Sequence, residues 1–135
     1  YAWSEDDLSG RHAAETSGIE PEKMFKTLVL EGDKHGSMVC CIPVLEEVDL
    51  KKAARVSGNK KVELLPLKKL LPLTGYQRGG CSPVGMKKHF PTWIDETAQR
   101  YERIAVSAGA RGEQIIVNPK ELAAYVEAEF ADLLK

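Results

Sequence analysis

The stretch Phe25–Pro43 reads FKTLVLEGDKHGSMVCCIP. Two short apolar runs, the first partly β-branched, flank a polar segment bounded by Gly32 and Gly36, and this pattern predicts a β-hairpin of Phe25 to Leu30 against Ser37 to Pro43. Lys26 is the one charge at the start of the first strand, between residues that a sheet would bury. Lysine is rarely buried unless paired, so the residues alone favour an exposed strand lysine. Cys40 and Cys41 are adjacent in the second strand and therefore point to opposite faces. That is poor material for a disulfide or a zinc site, and both are read as buried, inert thiols.

Working outward, Pro21 suits the first position of a short helical turn. Asp49 is placed to cap a helix from Leu50 to Ser57 that Gly58 ends. Val62 to Leu64 reads as a short strand, Leu65 to Leu71 as a brief helix closed by Pro72, and Thr92 to Asp95 and Ile104 to Ser107 as strands joined through the polar residues around Glu96 to Arg100. Gly109-Ala110-Arg111-Gly112 reads as a tight turn into Gln114 to Val117. Asn118 as N-cap and Pro119 at the first position open a helix expected to run to about Leu134, with Leu122, Val126 and Phe130 on one face. Before the hairpin, Gly10 to Ser17 reads as a short helix stopped at Gly18. The alternation is too irregular for a Rossmann unit, and neither G-x-G-x-x-G nor a Walker loop occurs.

The 135 residues are enough for one domain, and 43% hydrophobic with 29% charged residues is the balance of a soluble globular chain. A cytoplasmic location is the default expectation. Net charge is −1 but unevenly spread. Residues 1–50 carry 4 basic and 11 acidic side chains, residues 51–100 carry 11 and 3, and residues 101–135 carry 4 and 6. The middle third is therefore strongly basic, with Lys51-Lys52, Lys60-Lys61, Lys68-Lys69 and Lys87-Lys88 as a candidate phosphate-facing set, although solvated lysine pairs are the commoner explanation for any one of them.

Within that basic third, Leu73 to Pro91 (LTGYQRGGCSPVGMKKHFP) holds four glycines and two prolines, too irregular for a helix and too glycine-rich for a regular strand. Gly79 and Gly80 can bring backbone N–H groups close to a ligand without a Cβ in the way. The run Thr74-Gly75-Tyr76, the G-x-x-x-P spacing of Gly79-Gly80-Cys81-Ser82-Pro83, and then Gly85 and Lys87-Lys88 resemble the substrate loop of the YbaK family of aminoacyl-tRNA deacylases. That family hydrolyses Cys-tRNA(Pro) and is related to the editing domain of bacterial prolyl-tRNA synthetases. Phe25-Lys26-Thr27-Leu28, Asp49-Leu50-Lys51-Lys52 and Val106-Ser107-Ala108-Gly109-Ala110-Arg111-Gly112 look like three further family blocks in the family's order.

The resemblance implies an α/β fold of α+β type, one editing domain over residues 1–135 with a mixed, curved, barrel-like sheet and flanking helices. The family normally has a further helix and short strand before Tyr1, so the first segment is expected to be missing here. It also reverses the weighting of Lys26, because the family's essential lysine stands in this Phe/Tyr-Lys-Thr-Leu context. Carried over residue by residue, Lys26 is the key cation; Tyr1, Thr27, Gly79, Gly80, Cys81, Ser82, Pro83, Ser107 and Gly109 surround the aminoacyl group. Where family members often have Asp, this chain has Gln114.

The residues themselves agree with a pocket of donors. His12, His35 and His89 lack the spacing for a metal cluster or a Cys-His pair, and neither Ser82 nor Ser107 stands in G-x-S-x-G. Lys26, backbone N–H groups around Gly79 to Ser82, and Ser107 can hold an ester carbonyl and its oxyanion. Such a site needs no cofactor or metal. Partners implied by the resemblance are aminoacyl-tRNA, through the tRNA(Pro) acceptor end, and prolyl-tRNA synthetase, with no membrane. The competing readings are a deacylase for Ala or another small amino acid, and a non-catalytic module that binds tRNA ends or adenosine nucleotides. If the basic third meets tRNA, affinity should fall with salt, and the double change of Lys87 and Lys88 to Glu should weaken binding and flatten that slope; filter binding from low to physiological salt measures both.

Overall fold

The computed structural model describes residues 20–66, 68–69, 83, 90–107 and 114–135. Its spine is the expected hairpin. Strands β1 (Phe25–Gly32) and β2 (Gly36–Pro43) pair antiparallel from Phe25↔Pro43 to Gly32↔Gly36. Gly36 takes φ 73 at the turn, a left-handed conformation that favours glycine. A 3-10 turn at Pro21–Lys23 leads into β1.

Helix α1 (Leu50–Ser57) starts where Asp49 Oδ1 accepts from the N–H groups of Lys51 and Lys52 at 2.9 and 3.0 Å. It ends at Gly58, φ 75, with the N–H of Asn59 bonded back to Ala54 O at 2.9 Å. Strand β3 (Val62–Leu64) then pairs with the end of β1, and β4 (Thr92–Asp95) runs parallel to β2. A 3-10 turn at Glu96–Arg100 connects to β5 (Ile104–Ser107), which pairs antiparallel with β6 (Gln114–Val117). Helix α2 (Pro119–Val126) opens on Asn118, whose Oδ1 accepts from Lys120 N and Glu121 N. Strand β7 (Glu129–Ala131) closes the chain parallel to β4.

The main sheet is mixed, in the order β3-β1-β2-β4-β7, and β5-β6 form a second, two-stranded sheet. A parallel bridge, Met24↔Ala105, brings β5 beside the start of β1, at the end of the strand that β3 does not cover. Each face of the main sheet has its own core. Phe25, Val29, Val39, Cys41 and Ile94 pack with Ile104 and Val106 of β5 and Leu122 and Val126 of α2. Leu30, Met38, Cys40 and Ile42 pack with Ala53 and Ala54 of α1 and with Leu133.

Two expectations are corrected. Among the described residues the sheet is open rather than barrel-like, five strands plus two. The last helix stops eight residues short of Leu134 because Glu127 adopts a left-handed conformation, φ 56, and the N–H of Ala128 returns to Ala123 O at 2.8 Å. The freed segment pairs with β4 instead. The helices read over Gly10 to Ser17 and most of Leu65 to Leu71, and the turn Gly109 to Gly112, lie outside the described residues.

The far end of the hairpin is clamped to the loop after α1. Asn59, 8% exposed, accepts with Oδ1 from the N–H groups of Lys34 and His35 at 2.9 and 2.8 Å and donates with Nδ2 to Ser57 Oγ at 2.8 Å. Gly32 lies so close that a Cβ there would collide with the Asn59 side chain. Asn59→Ala is therefore expected to lower the free energy of unfolding by about 1 to 3 kcal/mol at an unchanged urea m-value. A shift of only a few tenths would mean that the loop holds without the clamp.

Candidate functional site

Strand alternation decides what each residue of the hairpin meets. Lys26 pairs with Ile42 and shares its face with Leu28 and Leu30; Thr27 turns the other way, where its hydroxyl lies 3.7 Å from Cys41 Sγ. The two neighbours named from the sequence thus occupy opposite sides of the sheet. Thr27 supports the strand from the core side, and Lys26 alone is presented on the other.

Ser107, remote in sequence, arrives beside Lys26 through β5. The bridge sets Met24 against Ala105 in parallel, so two residues further along each strand stand Lys26 and Ser107, on one common face. Directly across the β5–β6 ladder from Ser107 is Gln114. Lys26, Ser107 and Gln114 therefore form a row across three neighbouring strands. Pro83 is buried. Tyr1, Gly79, Gly80, Cys81, Ser82, Gly109, Lys87 and Lys88 lie outside the described residues.

The electrostatics of the row are dominated by Lys26, which is half-buried and in no ion pair among the described residues. Burial pushes its ammonium pKa below the ordinary lysine value, while the carboxylates of Glu47 and then Glu46 pull it back up. These two acids follow β2 in a turn where the N–H of Glu46 bonds to Pro43 O at 3.0 Å, and Glu47 is tethered to Lys135 Nζ at 3.1 Å. Sequence reading passed over them. Their only signal was an acidic pair following a buried strand. Both thiols of β2 are fully buried, and that burial pushes each up to about 12, so neither is a thiolate near neutral pH. Among the described residues no group of three His, Cys, Asp or Glu is placed to hold a metal, and no helix is long and apolar enough to cross a membrane.

A groove of about 560 Å³ lies elsewhere, between β6 and α2, lined by Ile115, Val117, Leu122 and Tyr125 with Glu102, Arg103 and Glu121 at its edges. None of the site residues named from the sequence lines it.

The arrangement sets a half-buried cation beside a hydroxyl and an amide on adjoining strands, groups that can bind and polarise an ester or phosphate. Comparison with known proteins defines its class. Residues 9–125 match the family model described as the aminoacyl-tRNA editing domain. A protein of Enterococcus faecalis, EbsC, named as a candidate Cys-tRNA(Pro)/Cys-tRNA(Cys) deacylase, is 54% identical over 133 residues, spanning 98% of this chain and 81% of that one. The chain belongs to the aminoacyl-tRNA editing domain family. Among solved structures, a candidate trans-editing enzyme for prolyl-tRNA synthetase superimposes with a TM-score of 0.88 at 28% identity, covering 100% of this chain and 85% of that chain. A scaffold used for the computational grafting of linear epitopes superimposes with a TM-score of 0.87 at 31% identity, over 94% and 81%.

The depressed pKa of Lys26 has a sign that can be measured. Because the folded protein disfavours the ammonium, it binds fewer protons than the unfolded chain between the folded pKa and the ordinary 10.5. Stability contributed by this group therefore rises as pH climbs through that window. Lys26→Met is expected to be at least as stable as the parent at pH 7 and to lack that rise, as followed by urea denaturation from pH 7 to 10.5. A less stable Lys26→Met protein at pH 7 would show that the charge is held favourably.

Proposed function

We propose that the protein is a trans-editing aminoacyl-tRNA deacylase that hydrolyses Cys-tRNA(Pro), acting on the ester between cysteine and the 3′-terminal ribose. The observation that carries this reading is the register that sets the half-buried Lys26 beside Ser107 on one face of adjoining strands, a place for an ester carbonyl next to a fixed cation. Membership of the editing family and the name of the E. faecalis relative support the same substrate class.

In this reading the substrate supplies the attacking group. The cysteine thiol adds to its own carbonyl, the carbon–sulfur bond forms, the bond to the ribose oxygen breaks, and that oxygen takes the proton the thiol gives up. Water then opens the resulting thiolactone to free cysteine. Lys26 faces the oxyanion, and the Gly79 to Pro83 loop and Ser107 hold the aminoacyl group so that thiol and carbonyl meet. Such intramolecular placement is worth up to ~7 to 11 kcal/mol in favourable cases. Prolyl-tRNA synthetase, which releases the mischarged tRNA, is the proposed protein partner, and Lys87 and Lys88 are proposed contacts to the tRNA backbone.

The test is deacylation measured across Cys-, Ser-, Ala- and Pro-charged tRNA(Pro). Cys-tRNA(Pro) should be cleared fastest and Ser-tRNA(Pro), which differs by one sulfur, far more slowly, since a hydroxyl is the weaker nucleophile. Lys26→Ala should lose about 2.7 to 4 kcal/mol of transition-state stabilisation, roughly 100- to 1000-fold in rate, without unfolding. Equal rates on the Cys and Ser esters would remove the thiol from the mechanism, and near-parental turnover by Lys26→Ala would remove the lysine.

A further inference from the structure

Among the described residues, the side-chain oxygen of Gln114 is the one buried polar side-chain atom without a hydrogen-bond partner. Buried acceptors are almost always satisfied, so an orphan one points to a donor that the described residues do not supply. Its position says which donor. Gln114 stands opposite Ser107, and Ser107 is set beside Lys26 by the Met24↔Ala105 bridge, all on one face. Neighbouring strands are about 4.8 Å apart, so the Cα atoms of Lys26 and Gln114 are on the order of 10 Å apart, and their side chains can reach groups only two or three bonds apart on one small ligand.

We infer that the Gln114 amide oxygen accepts a hydrogen bond from the α-amine of the aminoacyl group, making Gln114 a specificity residue for α-amino esters. This rests on the deacylase reading above. An aminoacyl ester carries its amine one carbon from the carbonyl that Lys26 faces, which matches a cation and an acceptor converging from two strands. A second positive charge near Lys26 is tolerated because Glu47 and Glu46 bear on the same site. An amide oxygen accepts from a charged or a neutral amine alike, so the chain recognises the amine here without a carboxylate.

The test separates this inference from the reading beneath it by measuring binding and hydrolysis independently. Stable 3′-amides of adenosine are made with cysteine and with 3-mercaptopropionate, which keeps the thiol and the carbonyl but lacks the amine. The parent protein should bind the cysteinyl compound about 10- to 100-fold more tightly. Gln114→Met, similar in shape but without the acceptor, should bring that ratio to about one, with a Tm no lower than the parent's because a buried unsatisfied oxygen has been removed. Gln114→Glu should restore the preference. A ratio unchanged in Gln114→Met, or a fall in Tm with both compounds weakened equally, would overturn the inference and leave Gln114 a structural residue. A preserved binding preference without hydrolysis of Cys-tRNA(Pro) would overturn the deacylase reading alone.

Discussion

Eight consecutive pairs between β1 and β2, from Phe25↔Pro43 to Gly32↔Gly36, set the register on which the site depends. Because side chains alternate with a period of two, a slip of one residue would exchange the two faces of β1. Lys26 would then enter the cluster of Val39, Cys41, Ile94 and Leu122, and Phe25 and Val29 would leave it. Both faces of the sheet are covered, by α2 with β5 on one side and by α1 on the other, so a slip would mismatch two cores at once. The position of one lysine is thus enforced by apolar packing that has nothing to do with its charge.

A second constraint sits at the end of β4. Asp95, 1% exposed, accepts at Oδ2 from the N–H and hydroxyl of Thr97 at 3.1 and 2.6 Å, and at Oδ1 from the N–H of Leu133 at 3.0 Å. One buried carboxylate thereby fixes the 3-10 turn that leads to β5 and ties the C-terminal strap to the sheet. The strap is held again by Lys52 Nζ, which donates to Asp132 Oδ2 at 2.8 Å and Leu134 O at 2.7 Å, and by the N–H of Asp49 on Leu133 O at 2.7 Å. It ends at Lys135, whose backbone and ammonium both reach Glu47. Glu47, the stronger in effect of the two carboxylates that moderate Lys26, is therefore anchored by the same segment that Asp95 secures.

What the sequence made legible follows from where its signals are local. The hairpin, the caps at Asp49 and Asn118, the stop at Gly58 and the short strands at Thr92, Ile104 and Gln114 each announce themselves within a few residues, and all are present. The last helix failed for a physical reason. Glu127 takes the left-handed conformation without being glycine, and Leu122, Val126 and Phe130 fit a helix as well as they fit a helix followed by a strand. The decision belongs to β4, which offers Trp93 to Asp95 as a parallel partner, and no local pattern reports that. In the site, the Lys26 context was legible through resemblance, whereas its neighbourhood to Ser107 and Gln114 came from a bridge between residues 81 positions apart. Thr27 shows the opposite limit: the resemblance groups it with Lys26, and the pleat turns the two side chains to opposite faces.

The row of Lys26, Ser107 and Gln114 contains a cation, a hydroxyl and an amide, and the two cysteines among the described residues, Cys40 and Cys41, are unfit to attack. With thiols pushed up to about 12, thiolate at pH 7 is on the order of one part in 10⁵, and Cys41 is committed to Thr27 on the core side. A pocket built this way discriminates between substrates differently from one that carries its own nucleophile. Shape alone separates side chains that differ by a single group by only about 10- to 200-fold. When the attacking atom belongs to the substrate, an ester that lacks a thiol can occupy the site and survive, so selectivity comes from reactivity as well as fit. Under the proposed mechanism the work left for the protein is to hold the ester rigidly and to place positive charge against it, the role that the proposal gives to the half-buried Lys26 on a strand packed from both sides.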